Sequence, residues 1–132
     1  MSAVLVDTGP LYSLAVPSDE YHITAQRDSR RLREQNLDIV VVYPVLLETY
    51  RLLLRRVALV SAHGWLTQVT ASSSFVNPRE KDYLEAAQRV RRYRDQPLTL
   101  VDAILAVLSE RSETPVWTYD HHFDVMRIER WR

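Results

Sequence analysis

Four carboxylates stand where they could do chemistry together: Asp7, Glu48, Asp102 and Asp120. Asp7 follows the apolar run Ala3-Val4-Leu5-Val6, and Asp120 follows Pro115-Val116-Trp117-Thr118, so each sits where a strand would hand over to a helix. Aspartate is a common N-cap at such a turn. Glu48 lies in the early turns after Pro44, where the helix dipole favours an acid. Asp102 is the only charged residue in the stretch 98–109, and a buried lone charge is costly unless a cation or hydrogen bonds compensate it. Thr99, three residues earlier, completes a capping-box pattern; a carboxylate held that way can still face a site. Capping explains any one of these acids and not the set. Gathered in one crevice, they could coexist only by sharing protons or binding a cation. Hard oxygen ligands in a chain without cysteine point to Mg²⁺ or Mn²⁺. Such an ion generates a hydroxide nucleophile and neutralises charge on a phosphodiester.

The elements that must position these acids can be read from periodicity and punctuation. Residues 3–6 form a short buried strand before the turn-like Asp7-Thr8-Gly9-Pro10, with a helix starting near Pro10. Residues 19–34 are polar and arginine-rich and read as a partly exposed helix. The β-branched run 37–42 is the second strand, closed by Tyr43-Pro44, because proline favours an extended residue before it and a helix start at itself. Helices follow over 45–56 and through Trp65 and Val69, then a weaker third strand at 72–76. A helix is expected from Asn77 through Val90, another over 98–108, a fourth strand at 115–118 and a short final element at 125–131. This alternation predicts an α/β fold with a mostly parallel sheet of about four to five strands flanked by helices. Such sheets bind ligands beyond the carboxyl ends of their strands.

Length and composition bound the rest. A chain of 132 residues is expected to form a single domain spanning 1–132. Lys plus Arg and Asp plus Glu both number 17, which excludes a protein that coats nucleic acid by net charge alone. With 46% hydrophobic and 26% charged residues it has the make-up of a soluble globule. No cysteine means no disulfide, thiolate zinc site or cysteine nucleophile, which suits a reducing compartment. The longest uncharged apolar run, residues 39–47, contains Pro44 and is far short of a membrane helix. No basic segment precedes the first apolar residues, so no secretory signal is expected and the cytoplasm is the expected compartment.

In this order and spacing the chain resembles the PIN-domain proteins, and among them the VapC-type toxins of bacterial toxin–antitoxin pairs. The opening motif is Val4-Leu5-Val6-Asp7-Thr8-Gly9-Pro10, followed by a loop with an acid ahead of a histidine, Asp19-Glu20-Tyr21-His22. The helical glutamate is Glu48, the third acid lies in Leu100-Val101-Asp102-Ala103-Ile104, and the closing motif is Thr118-Tyr119-Asp120-His121-His122-Phe123. The resemblance covers nearly the whole chain and implies a PIN-like three-layer fold. It further implies a Mg²⁺- or Mn²⁺-dependent endoribonuclease in which Asp7, Glu48, Asp102 and Asp120 are the catalytic, metal-binding acids. Thr8 and Thr118 would orient those carboxylates or bound water. The same resemblance implies an RNA substrate, a co-expressed antitoxin that silences the site, and a homodimer. His22, His121, His122 and Asp124 are placed outside the core site.

All basic residues but Lys81 are arginine. Arg27, Arg30, Arg31 and Arg33 form one cluster, Arg51, Arg55 and Arg56 a second, and Arg89, Arg91, Arg92 and Arg94 a third, which is the candidate RNA grip because guanidinium forks hold phosphates and stack on bases. Solvated helix faces would account for the same clusters. Asp7-Thr8-Gly9 is also the signature of aspartic proteases, but those are all-β with glycine-rich flaps, and this chain has two glycines and long helical periods. Phosphotransfer of the haloacid-dehalogenase kind needs an aspartate where Gly9 stands. The remaining rivals are a housekeeping RNA-processing nuclease and a catalytically silent binding or scaffold module on the same fold.

Overall fold

The computed structural model describes residues 2–132. Its strands are β1 (Ala3–Val6), β2 (Asp38–Val42), β3 (Ser74–Val76) and β4 (Val116–Trp117), and its helices α1 (Thr8–Ala15), α2 (His22–Glu34), α3 (Tyr43–Arg56), α4 (Leu59–Ser72), α5 (Glu80–Arg92), α6 (Leu100–Ser112) and α7 (His122–Val125). The sheet has the order β3-β2-β1-β4 and every pairing is parallel. Leu5 lies opposite Val40, Val6 opposite Trp117, and Val41 opposite Phe75. The four strands, all parallel, bear out the α/β reading.

Burial explains the runs that form the strands. Val4, Val6, Val41, Val42, Val116 and Trp117 are all but inaccessible to water, as a sheet covered on both faces requires. Among the helices, α1 packs on α2 and α3, α3 on α4, and α5 on α6. Helix α6 is buried from Asp102 through Ser109, which is why its sequence is apolar on nearly every side. Two ion pairs, each with one buried partner, fasten α5 to α6: the Arg89 guanidinium forks onto Glu110 at 3.0 and 2.8 Å, and Arg111 meets the fully buried Asp82.

The largest departures from the sequence expectation lie at three places. Helix α5 starts at Glu80 and not at Asn77, because Asn77 precedes Pro78 and is held extended, and because the Asp82 carboxylate accepts the Arg79 N–H at 2.8 Å and so fixes where the helix begins. Helix α2 starts at His22 after a turn at 19–21. The element expected at 125–131 is α7 followed by a return. Arg127 takes a left-handed φ of 59°, and the chain then runs beside β4 with the Val116 N–H donating to Glu129 O (3.0 Å) and the Trp131 N–H to Val116 O (2.9 Å).

The strand order places the functional end. From β1 the chain moves outward through β2 to β3, then crosses back to add β4 on the other side of β1. The reversal falls between β1 and β4, where open parallel sheets leave a crevice beyond their carboxyl ends.

Candidate metal centre

Asp7 follows β1 directly, and its N–H donates to Trp117 O at 2.9 Å, so the end of the first strand is pinned to the end of the last. Its carboxylate caps α1: Oδ1 accepts the Thr8 N–H at 2.8 Å. Oδ2 accepts the Thr118 hydroxyl at 2.8 Å, and the same hydroxyl oxygen accepts the Asp120 N–H at 3.0 Å. One buried threonine thus ties two of the acids together. Asp102 enters from α6 in the capping box its sequence suggested. Its N–H donates to Thr99 Oγ1 at 3.1 Å, and its Oδ2 accepts the Thr99 N–H at 3.2 Å. Glu48 projects from α3, half-buried.

Asp7, Glu48, Asp102 and Asp120 all line one crevice of about 560 Å³ at the carboxyl end of the sheet. Thr8 lines it too, and so do Asp19 and Glu20 from the turn before α2. Asp19 is engaged locally, its Oδ2 accepting the Ser13 hydroxyl at 2.7 Å and the Tyr21 N–H at 3.0 Å. Among the lining residues Arg56 is the only arginine or lysine, one guanidinium against six carboxylates. Asp7 is 6% exposed. Burial pushes its carboxyl up to about 7, against the donors Thr118 and Thr8 and with help from the charges on Asp102 and Asp120. Burial also raises Asp102, with Asp120 adding to the effect and Thr99 and His122 opposing it. Carboxyls raised by burial and by one another are short of a cation.

Two buried polar atoms facing this region have no hydrogen-bond partner, Thr8 Oγ1 and His122 Nδ1. Unpaired buried polar atoms are rare, and here they border a set of oxygen donors suited to a hard divalent ion. The residues present fit Mg²⁺ or Mn²⁺. Histidine 122 was set aside on sequence grounds, yet its Nδ1 lies 3.3 Å from Asp120 Oδ1 and 3.6 Å from Asp102 Oδ2. Its only sequence signal was the two-residue step from Asp120 at a helix start, where the Asp120 carboxylate accepts the His122 N–H at 2.9 Å. His121 is exposed, with Nδ1 3.7 Å from Asp120 Oδ1. His22 Nδ1 meets Ser13 O at 2.7 Å, and Asp124 pairs with Arg130 at 2.9 Å.

The third arginine cluster divides. Arg91, Arg92 and Arg94 are exposed, whereas Arg89 is buried and spent on Glu110, which corrects its place among the RNA-binding candidates. The signal was available: Asp82, Ala86 and Arg89 form the buried face of α5 at helical spacing.

The family model of the PIN domain matches residues 4–129. The chain belongs to the PIN domain family. Among solved structures, this PIN domain is similar to the sarcin–ricin loop cleaving toxin VapC20 of Mycobacterium tuberculosis, at 20% identity and a TM-score of 0.84, covering 98% of this chain and 99% of the other. It is also similar to VapBC2 of Rickettsia felis, bound there to a DNA fragment from its promoter, at 11% identity and a TM-score of 0.74 over 98% and 97% of the two chains. A third likeness is VapBC-1 of nontypeable Haemophilus influenzae, at 16% identity and a TM-score of 0.70 over 98% and 96%. No curated protein matches the PIN domain by sequence. No helix among the described residues is long and apolar enough to cross a membrane.

Proposed function

We propose that this PIN domain is a metal-dependent endoribonuclease that acts as the toxin of a toxin–antitoxin pair. The observation that carries the reading is the convergence of Asp7, Glu48, Asp102 and Asp120, from β1, α3, α6 and the turn after β4, on one crevice with a protonatable, buried Asp7. Asp7, Glu48, Asp102 and Asp120 would hold Mg²⁺ or Mn²⁺. When bound, the ion supplies a nucleophilic water and neutralises charge on the phosphodiester. The chain's own residues do the positioning. Thr118 ties Asp7 to Asp120, Thr99 holds Asp102, and the buried Thr8 hydroxyl is left without a partner beside them.

RNA is favoured as substrate by what surrounds the acids. Tyr21 and Tyr119 stack at 5.4 Å and line the crevice, a surface on which bases can stack. Tyr119 donates its hydroxyl to Asp28 Oδ2 at 2.8 Å, and burial with that neighbouring carboxylate holds the phenol well above its usual range, so it stays neutral. Arg56 at the crevice, with exposed Arg91, Arg92 and Arg94, supplies cations for phosphates. The whole-chain likeness to VapC structures supports the toxin role and an antitoxin partner. A homodimer and a cytoplasmic location complete the proposal, the dimer supported by exposed Leu54, Val57, Leu59 and Val60 around the α3–α4 junction.

The test is incubation of the purified chain with structured RNAs in Mg²⁺, in Mn²⁺ and in EDTA, with Asp7→Asn as control. Cleavage that needs the ion and vanishes in Asp7→Asn is the expected result. Intact RNA together with no metal binding would move the assignment to a silent scaffold module.

A further inference from the structure

We propose that His122 is a nitrogen ligand of the metal centre and that, through it, the centre takes a first-row transition ion, Mn²⁺, in preference to Mg²⁺. The inference rests on the reading of Asp7, Asp102 and Asp120 as metal-holding acids and goes beyond it by naming a ligand and an ion.

Geometry comes first. Donor atoms on adjacent vertices of an octahedral ion with bonds of about 2.1 Å lie about 3 Å apart. His122 Nδ1 stands 3.3 Å from Asp120 Oδ1 and 3.6 Å from Asp102 Oδ2, so the nitrogen lies within reach of an ion held by either carboxylate.

The ring nitrogen also lacks any other occupation. Nδ1 of His122 is shielded from water and makes no hydrogen bond, whereas the corresponding atom of His22 is satisfied by Ser13 O at 2.7 Å. Nδ1 faces two carboxylate oxygens at these distances, and an ion held there would give it the partner it lacks. Thr8 Oγ1, in a residue 7% exposed, is the second unpaired buried atom bordering the crevice and points independently to a missing polar ligand.

Rigidity makes the ring a usable donor. The His122 N–H is bonded to Asp120 Oδ1 at 2.9 Å, and the next residue, Phe123, is completely buried, so α7 anchors the imidazole from below. Mg²⁺ takes oxygen donors and holds its waters, while imidazole nitrogen suits first-row transition ions, whose affinity for mixed nitrogen and oxygen sites exceeds that of Mg²⁺. One nitrogen among carboxylates therefore tilts the choice.

The experiment uses Mn²⁺ alone, without RNA. Pulsed electron paramagnetic resonance of the Mn²⁺-loaded full chain should show imidazole ¹⁴N coupling in the wild type and in His121→Ala, and none in His122→Asn. Competition titration should show the Mn²⁺ over Mg²⁺ preference falling by about tenfold in His122→Asn. Bound Mn²⁺ without nitrogen coupling in the wild type would overturn the proposal with no variant needed. Coupling that survives in His122→Asn, or an unchanged preference, would overturn it equally. The underlying reading fails in a different way: a wild type that binds no Mn²⁺, or Mn²⁺ binding indifferent to Asp7→Asn and Asp102→Asn, removes the metal centre and this ligand with it.

Discussion

A carboxyl group taken out of water keeps its proton, and Asp7 is such a group, with a pKa raised from 3.8 to about 7 by burial. Between those two values the folded chain carries a proton there that the unfolded chain has released, so unfolding sheds protons and stability falls as pH rises through the interval. In EDTA, thermal melts should therefore show the wild type losing stability between pH 4 and pH 7, while Asp7→Asn loses less and is the more stable protein by about 2 kcal/mol at pH 8. A bound divalent ion competes with the same proton, so metal affinity measured by titration should strengthen as pH rises to 7 and above. Thr118→Val removes the hydroxyl donated to Asp7 Oδ2; the proton is then held more tightly, and the pH of half-maximal metal binding should move upward. The acids that line the crevice could be read in the sequence, Asp7 and Asp120 from their place at strand ends, Asp102 as the lone charge of an apolar helix, and Glu48 near the start of the helix after β2. His122 could not, because its approach depends on a backbone turn around the Asp120 carboxylate that no residue pattern specifies.

Helix faces decide which arginines are free. On α5, Arg89 shares the buried face with Asp82 and Ala86, while Arg91 and Arg92 point to water. Arg89→Ala should cost about 1–3 kcal/mol in denaturant unfolding, the range for hydrogen bonds to charged groups, and leave RNA affinity unchanged. The Arg91→Ala, Arg92→Ala double variant should do the reverse, holding stability while weakening RNA binding and flattening its salt dependence; an unaltered salt slope would refute it. On α6, Thr99→Ala removes the hydroxyl that accepts the Asp102 N–H and so loosens the turn that carries Asp102, while the backbone N–H donated to its carboxylate stays. A stability loss of about 1 kcal/mol is expected, accompanied by weaker metal binding, which a cap remote from the centre would not produce. Strand runs and most helices could be read from β-branched stretches and proline punctuation. The start of α5 could not, because a side chain reaching back three residues, Asp82 to Arg79, set it. The last expected element failed for a related reason: its residues return beside β4 through backbone bonds at Glu129 and Trp131, contacts between segments far apart in sequence.

At the scale of the molecule, the exposed apolar residues Leu54, Val57, Leu59 and Val60 gather near the α3–α4 junction. Sedimentation should find the wild type dimeric and a Leu59→Glu, Val60→Glu variant monomeric, with its metal affinity intact. The fold class could be inferred from alternation alone, but the strand order β3-β2-β1-β4 could not, since local patterning carries no information on which strands become neighbours. That order sets when the centre comes into being. Its two sides are contributed by the first strand and the last, Val6 beside Trp117, and Thr118 couples Asp7 to an acid at position 120. A chain growing from its amino end can form α1, β2 and α3 early, yet lacks the Thr118 hydroxyl that ties Asp7 to Asp120 until β4 arrives. On the proposed function, a protein that cuts RNA would in this way be made on an RNA machine in an inert state, and would become armed only once β4 has been made.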